Sequence, residues 1–303
     1  MIDSKGLKES VQSTILKRKG QTVKSIIEVR AVLDDFRANS TDGIVTGTEI
    51  WELSIIPFLL YNCETWTNIS KGSMSLLNDL QFMFLRYLLA TPKTCPKPAL
   101  VWETGFLLME HRIAVRKLTF YHHLMNLPKD SLAYQVADTQ IKFGFPGLMK
   151  ECHELILRYS LPNNPTKFSK LSWKSIVKRS VKAQNELDIL NEIREYKKLD
   201  YAMLKTEKFE MKSYLKEMNL ADARLRFSLR AKMTRTVMMN FKAVPEFKKK
   251  GWKCEAFGEL DTQEHIMVCP SYLHLRSGKV LSNDTDVVEY FRQIIHIRES
   301  MVN

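Results

Sequence analysis

The sequence of 303 residues contains little glycine, proline and cysteine, with 11 Gly, 10 Pro and 5 Cys. Few turn-forming residues and few alternating β-branched runs argue against a β-sandwich or barrel and favour an almost entirely α-helical protein. The five cysteines are widely spaced and odd in number, so they do not form a disulfide framework. Reduced thiols, and therefore a nuclear or cytoplasmic, intracellular protein, are expected.

Long hydrophobic runs are also missing. The most apolar segment, 50–61, has nine apolar or aromatic residues among its twelve, whereas a membrane span needs about 20 consecutive apolar residues. Pro57 interrupts this segment, so the sequence predicts a buried pair of helices that ends near Trp66. We therefore expect no membrane partner.

Motifs that bind nucleotides or carry out catalysis are absent as well. The chain has no G-x-x-x-x-G-K, G-x-G-x-x-G or G-x-S-x-G sequence, and the residue four positions after His153 is Leu157 rather than a second histidine. Asp34 and Asp35 are adjacent on an amphipathic helix, whereas two-metal catalysis requires carboxylates that converge from separate strands. The sequence thus predicts neither an enzyme nor a small-molecule substrate.

Positive charge is abundant and unevenly distributed. The net charge is +12 at pH 7, from 46 Lys and Arg against 34 Asp and Glu, which favours an acidic partner. Segment 167–182 has six cations and no acidic residue. Five of the six recur along one face of a predicted helix, at Lys170, Lys174, Lys178, Arg179 and Lys182. Like charges at this spacing repel unless a polyanion lies against them, but a solvated face is an equally open interpretation.

A second basic segment, 205–253, has 14 Lys and Arg against five Asp and Glu. Its candidate phosphate-binding residues are Arg224, Arg226, Arg230, Lys232, Arg235, Lys248, Lys249 and Lys250. Arginines beside aromatic rings suit RNA or single-stranded DNA, because the guanidinium pairs with phosphate and the ring can stack on bases. The alternative is that Phe227 and its apolar neighbours belong to the core.

Several stretches, in this order, resemble the thumb and C-terminal region of LINE-type (non-LTR) retrotransposon reverse transcriptases. MIDSKG is similar to the stretch directly after the family's Tyr-Leu-Gly primer grip, and PFLLYNCETW is similar to a signature located after its catalytic palm. LLNDLQFMFLRYLLA, VWETGFLLMEHRIAVRK, the helix near Ser172 and the arginine-rich helix resemble later elements. The resemblance implies thumb helices that grip an RNA/DNA duplex, without the palm or endonuclease.

The resemblance extends to a C-terminal knuckle. The family's knuckle reads Cys-x2-Cys, a gap, Glu-His, three residues and Cys-Pro. The matching residues are Cys254, Glu264, His265, Cys269 and Pro270. The His-x3-Cys half has suitable spacing for zinc on one helical turn.

Phe257 stands where the family has its second cysteine. A zinc ion would then be held weakly by Cys254, His265 and Cys269, with water, Asp261 or His274 as the fourth ligand. The alternative is a knuckle without metal, in which the two cysteines are small buried thiols surrounded by aromatic residues.

Together these features predict an all-α protein with four parts: a thumb-like and connector domain at 1–160, a linker at 161–169, a basic helical region at 170–250, and a degenerate knuckle with a C-terminal helix at 251–303. The expected function is a non-catalytic reverse transcriptase fragment that binds RNA or DNA. The alternative is a helical protein-interaction scaffold or a non-functional remnant of the element.

Overall fold

The computed structural model describes residues 4–35, 42–196, 199, 204, 206–233, 254, 257–259, 262–279, 281 and 283–302. Within these ranges the chain is built from helices and turns and contains no β-strand. The predicted all-α class is therefore confirmed. No helix in the described ranges combines the length and the apolar character needed to cross a membrane.

The first half of the chain forms a packed set of helices. In order these are α1 (Ser4–Asp35), α2 (Gly43–Ile50), a π-helical turn (Trp51–Ile55), α3 (Ile56–Leu59), a 3-10 turn (Cys63–Thr65), α4 (Lys71–Leu88), α5 (Lys97–Thr104), α6 (Met109–Met125), α7 (Leu132–Phe143) and α8 (Leu148–Arg158). Helix α1 packs on α4, and α6 packs on α8.

The apolar segment 50–61 contributes five buried side chains to the core, whereas its Leu53, Phe58 and Tyr61 are exposed. Trp51 is fully buried and stacks on Phe84 with ring centroids 4.5 Å apart. The amide of Ile56 donates to the carbonyl of Trp51, five residues earlier, which makes this turn π-helical rather than α-helical. Pro57 is the next residue, at the start of α3. Because proline has no amide hydrogen, the wider turn precedes the position where an α-helical bond would be lost.

Two arginines of α6 fix this segment to the rest of the fold. Arg112 makes a two-pronged ion pair with Glu52, with nitrogen–oxygen distances of 2.6 and 2.8 Å. Arg116 donates to the carbonyl of Leu60 at 2.8 Å. The carbonyl of Leu60, left open where α3 ends, is thus satisfied by a side chain from another helix.

Helix α9 (Lys170–Glu195) comes after a 3-10 turn at Pro165–Lys167 and lies along α5 and α6. Ser169 caps its first turn by accepting from the amide of Ser172. The buried face of α9 consists of Trp173, Val177, Val181, Asn185, Ile189 and Ile193.

The predicted linker, 161–169, makes contacts with the rest of the fold. Leu161 and Pro165 are buried, and the side chain of His122 donates to the carbonyl of Phe168 at 2.9 Å. Moreover, residues of α9 share one hydrophobic cluster with residues of α1 to α6. Segment 161–169 is thus packed against other parts of the fold, and the division into domains stays a prediction.

The C-terminal part consists of α10 (Ser213–Glu217), α11 (Leu220–Arg230), α12 (Gln263–Val268), a 3-10 turn (Pro270–Arg276) and α13 (Asp284–Val302). Phe227 of α11 is fully buried in the main core, so it is a core residue and not a platform for bases. Leu229, two residues later, joins a separate small cluster with Ile266 and Phe291. Helix α11 therefore connects the main core with the knuckle region.

Candidate nucleic-acid interface and candidate metal centre

The five cations predicted on α9 all project into solvent. Lys170, Lys174, Lys178, Arg179 and Lys182 are each exposed, and none of them makes an ion pair with another residue that the structure describes. We call these five residues the α9 stripe. From Lys170 to Lys182 the helix rises by about 18 Å, which corresponds to about five base-pair steps of a duplex.

The orientation of the α9 stripe is set by the anchoring of the neighbouring, buried row of residues. The indole nitrogen of Trp173 donates to the carbonyl of Leu118 at 2.8 Å, and its ring stacks on His122. Further along, Asn185 accepts from the amide of Leu108 at 3.1 Å. Each lysine of the α9 stripe lies three residues before a buried residue, so the row flanks the buried face, and the contacts that fix the rotation of α9 hold this row at the solvent-exposed edge.

The second predicted group of cations is arranged differently. Arg224 donates to the carbonyl of Leu88 at 3.0 Å. Arg226 contacts Asp284 at 2.5 Å, and its side chain is only 17% exposed. These two arginines serve contacts within the fold, which revises the expectation that they face a phosphate backbone.

Arg230 lies in a buried network of charges. Its Nε donates to both carboxylate oxygens of Glu103 at 2.9 Å, and its Nη2 contacts Glu207 at 2.7 Å. The Glu103 side chain is 3% exposed and also accepts from the hydroxyl of Tyr214 at 2.8 Å. Burial raises the pKa of Glu103, and the neighbouring charge of Arg230 opposes that rise. Arg230 is therefore a structural residue.

Of the remaining predicted cations, one lies within the residues that the structure describes and four do not. Lys232 is partly exposed and pairs with Glu264 at 3.0 Å. Arg235, Lys248, Lys249 and Lys250 lie outside the described residues. Phe241, another aromatic residue in the second basic segment, also lies outside them. Among the residues that the structure describes, the predicted interface is thus reduced to the α9 stripe.

The three predicted metal ligands do come together. Cys254, His265 and Cys269 are buried, and their ligand atoms lie within 4.8 Å of one another. Helix α12 positions His265, because Thr262 caps its first turn by accepting from the amide of His265 at 3.0 Å. The amide of Cys269 then donates to the carbonyl of His265 at 2.7 Å.

The Cys254 end is shaped by a tight turn. The amide of Gly258 donates to the carbonyl of Cys254 at 2.8 Å, and the amide of Cys254 donates to the carbonyl of Glu259 at 2.6 Å. Gly258 has φ of +68°, a left-handed conformation that suits glycine. The turn brings the Cys254 thiol towards α12.

The imidazole of His265 is arranged as a metal ligand would be. Its Nδ1 donates to a carboxylate oxygen of Glu259 at 2.9 Å, and its Nε2 is buried without a hydrogen-bond partner. A carboxylate on one ring nitrogen leaves the lone pair on the other and orients the ring, as is usual for zinc-bound histidines. Sequence reasoning missed Glu259, although its position six residues before His265 was visible.

These residues fit a zinc ion that has three protein ligands and one open position. Phe257 is half-exposed and has no ligand atom. His274 is exposed and does not belong to the group, and Asp261 lies outside the described residues. Zinc bound here would tie the 254–259 turn to α12.

The fold and these side chains define a basic, all-α protein that presents a row of cations on one helix and a three-ligand Cys/His group nearer its C-terminal end. No protein-family model matches the chain, and searches of curated proteins and of solved structures found no match either.

Proposed function

We propose that this chain binds the phosphate backbone of RNA or DNA through the α9 stripe. The observation that carries the proposal is the row of five exposed cations without an acidic partner, set on a helix whose rotation is fixed by Trp173. The other predicted cations that the structure describes have partners within the fold. The cations of the α9 stripe have no acidic partner among the described residues and can therefore bind a polyanion.

The proposal includes the origin suggested by the sequence. We take the chain as the thumb and C-terminal part of a non-LTR retrotransposon reverse transcriptase, without polymerase activity of its own. Support comes from the ordered sequence resemblances and from the approach of Cys254, His265 and Cys269, which the knuckle-like motif predicts. In this role the α9 stripe holds the template or target strand, and the knuckle stabilises the C-terminal region.

Binding by the α9 stripe should depend strongly on salt and weakly on sequence. Five phosphate contacts give a slope of log K against log salt of about −3.5 on single strands and about −4.5 on duplex DNA. Contacts to phosphates alone do not discriminate between bases. We therefore expect similar affinities for single-stranded RNAs of different sequence.

The test compares two variants with the same net charge. The stripe variant replaces Lys170, Lys174, Lys178, Arg179 and Lys182 with glutamine. The control variant replaces five exposed lysines elsewhere, Lys71, Lys93, Lys129, Lys208 and Lys216. Fluorescence anisotropy with labelled single-stranded RNA, measured over a range of salt, should show that the stripe variant loses most of the slope and the control variant keeps it.

Two results would reject this proposal. One is an absence of binding by the unmodified chain at low salt. The other is an equal loss in the stripe and control variants, because general charge rather than the α9 stripe would then explain the affinity.

A protein-interaction scaffold is the second candidate, and one surface feature favours it. Phe143 and Phe145 are 71% and 51% exposed, and their rings stack on each other with centroids 5.8 Å apart. Exposed aromatic pairs are typical of protein interfaces. A scaffold should keep its associated proteins after nuclease treatment and lose them when both phenylalanines are replaced by serine, whereas a nucleic-acid binder should lose them on nuclease treatment alone.

A further inference from the structure

A second group of metal-ligating side chains lies where α6, α8 and α9 meet. Its members are Glu110 and His111 on α6 and Asp188 on α9, whose ligand atoms lie within 4.8 Å of one another. The His111 Nε2 is 3.3 Å from an oxygen of Asp188 and 3.6 Å from an oxygen of Glu110. Two ligands of a tetrahedral zinc ion are separated by about 3.3–3.5 Å, since each bond is about 2.0–2.2 Å long.

The histidine is poised for this role. His111 is fully buried, and its Nε2 has no hydrogen-bond partner, while its Nδ1 lies 3.0 Å from the hydroxyl of Tyr159. When Nδ1–H donates to Tyr159, the lone pair on Nε2 faces two carboxylate oxygens, and a cation between them removes the repulsion.

The surrounding residues orient the ligands. The amide of Gln184 donates to the other carboxylate oxygen of Asp188 at 2.8 Å. The hydroxyl of Tyr159 holds the ring of His111 from the opposite side. Such outer contacts accompany metal-ligating histidines and carboxylates, because they fix the direction of the lone pairs.

The local charge favours a cation. Glu110 and Asp188 share a single arginine, because Nη2 of Arg158 lies 3.2 Å from Glu110 and 3.4 Å from Asp188. Two carboxylates with one contacting arginine leave this pair with excess negative charge.

An ion can reach the cluster from solvent. Glu110 and Arg158 line an open groove of about 560 Å³, together with Lys71, Lys117 and Glu154. The side chain of Arg158 is 43% exposed, so it can turn outward into this groove without unfolding the helix. Arg158 is therefore a removable occupant of the space between the two carboxylates.

We propose that Glu110, His111 and Asp188 bind a divalent zinc ion, which displaces the guanidinium of Arg158. The ligand set of one imidazole and two carboxylates suits this ion. The ion joins α6 to α9 and so stiffens the helix that bears the α9 stripe. This site contains no thiolate, which distinguishes it from the Cys254 group.

The experiment uses the full chain with Cys254→Ser and Cys269→Ser, so that the knuckle cannot contribute thiolate ligands. After removal of metal, Zn²⁺ is titrated against a chromogenic chelator, and Co²⁺ is followed by its absorption spectrum. We expect one equivalent of either ion and no thiolate-to-cobalt charge-transfer band. Arg158→Gln should tighten binding by about tenfold, because it removes the competing charge, and Asp188→Asn should weaken it by at least about tenfold.

Glu195→Gln is the matched control, since it removes an exposed carboxylate from α9 outside the cluster. It should leave the affinity unchanged, and circular dichroism should show the same helix content in every variant. Failure of the double cysteine variant to bind either ion overturns the proposal. So does binding that Arg158→Gln and Asp188→Asn both leave unaltered, because the ion would then lie elsewhere.

Discussion

Helices α9 and α11 are both rich in cations, yet their cations have opposite roles. On α9, five cations are exposed and none has an acidic partner among the described residues. On α11, Arg226 and Arg230 are 17% and 10% exposed and pair with Asp284, Glu103 and Glu207. The comparison teaches that the density of positive charge along a sequence does not distinguish a binding surface from an internal network. The distinction lies in whether distant acidic residues fold against the helix.

The largest expected effect concerns the buried network. Replacing Arg230 with methionine leaves Glu103 buried without its cationic partner, so the free energy of unfolding should fall by about 3–5 kcal/mol. Urea denaturation measures this change. The matched variant Arg179→Met on α9 should change stability by less than about 0.5 kcal/mol. Equal losses from the two replacements would remove the distinction between the helices.

The second largest effects are expected from two replacements: one should change RNA binding but not stability, and the other should change stability but not RNA binding. Arg179→Gln should reduce the salt slope of RNA binding by about 1 and leave stability unchanged. Arg226→Gln should leave the slope unchanged and reduce stability by about 1 kcal/mol, because it breaks the partly buried pair with Asp284. Anisotropy titrations and urea denaturation of the same two proteins provide the measurements. A lower slope in Arg226→Gln would mean that α11 also contacts the nucleic acid.

Low pH should weaken the ion-pair network of Arg230, Glu103 and Glu207 by protonating Glu207. Burial by itself raises the pKa of Glu207, but hydrogen bonds from Arg230 and Lys212 outweigh it, so the pKa lies below its ordinary value of 4.5. The unfolded chain therefore takes up this proton at a higher pH than the folded chain does. The stability that Glu207 contributes is present above about pH 4.5 and is lost as the pH falls further.

Glu207→Gln should consequently flatten the decline of Tm below about pH 4.5. The control is Glu217→Gln, which replaces an exposed carboxylate on α10. Thermal unfolding followed by circular dichroism at a series of pH values gives the comparison. The same decline in the Glu207→Gln protein and in the unmodified protein would contradict the proposed linkage.

The smallest expected effect is a gain in stability, whereas the replacements of Arg230 and Arg226 reduce it. Lys178 has a lysine four residues away on each side, Lys174 and Lys182, and like charges at this spacing repel. Lys178→Gln should therefore raise Tm by about 1 °C in low salt, since glutamine and lysine have similar helix propensities. In about 1 M salt, where charges are screened within about 3 Å, the gain should vanish. A loss of Tm instead would indicate that Lys178 has an acidic partner in solution.

Much of the local structure could be predicted from periodicity. Trp173, Val177 and Val181 recur every four residues and are buried on α9, and the cations between them are exposed. Pro57 correctly marked an interruption in segment 50–61. The motif spacing of Cys254, His265 and Cys269 also predicted their approach in space.

What the sequence could not reveal depends on contacts between distant residues. Arg230 and Glu103 are 127 positions apart, and Arg226 and Asp284 are 58 apart. A local window contains no information about such pairs, because they depend on how whole helices pack. The same reason explains why Glu110, His111 and Asp188 were not recognised as a group.

The π-helical turn at Trp51–Ile55 makes the length of the central segment a constraint in its own right. The bond from the amide of Ile56 to the carbonyl of Trp51 already spans one residue more than an α-helical bond, so deletion of exposed Ser54 would turn it into an α-helical bond between the same two groups. The buried side chains of Leu59 and Leu60 would then still face the core, and Arg116 would keep the carbonyl that it now contacts. Each residue of an α-helix turns the chain by about 100°, so insertion of one residue here should do more damage than deletion of one.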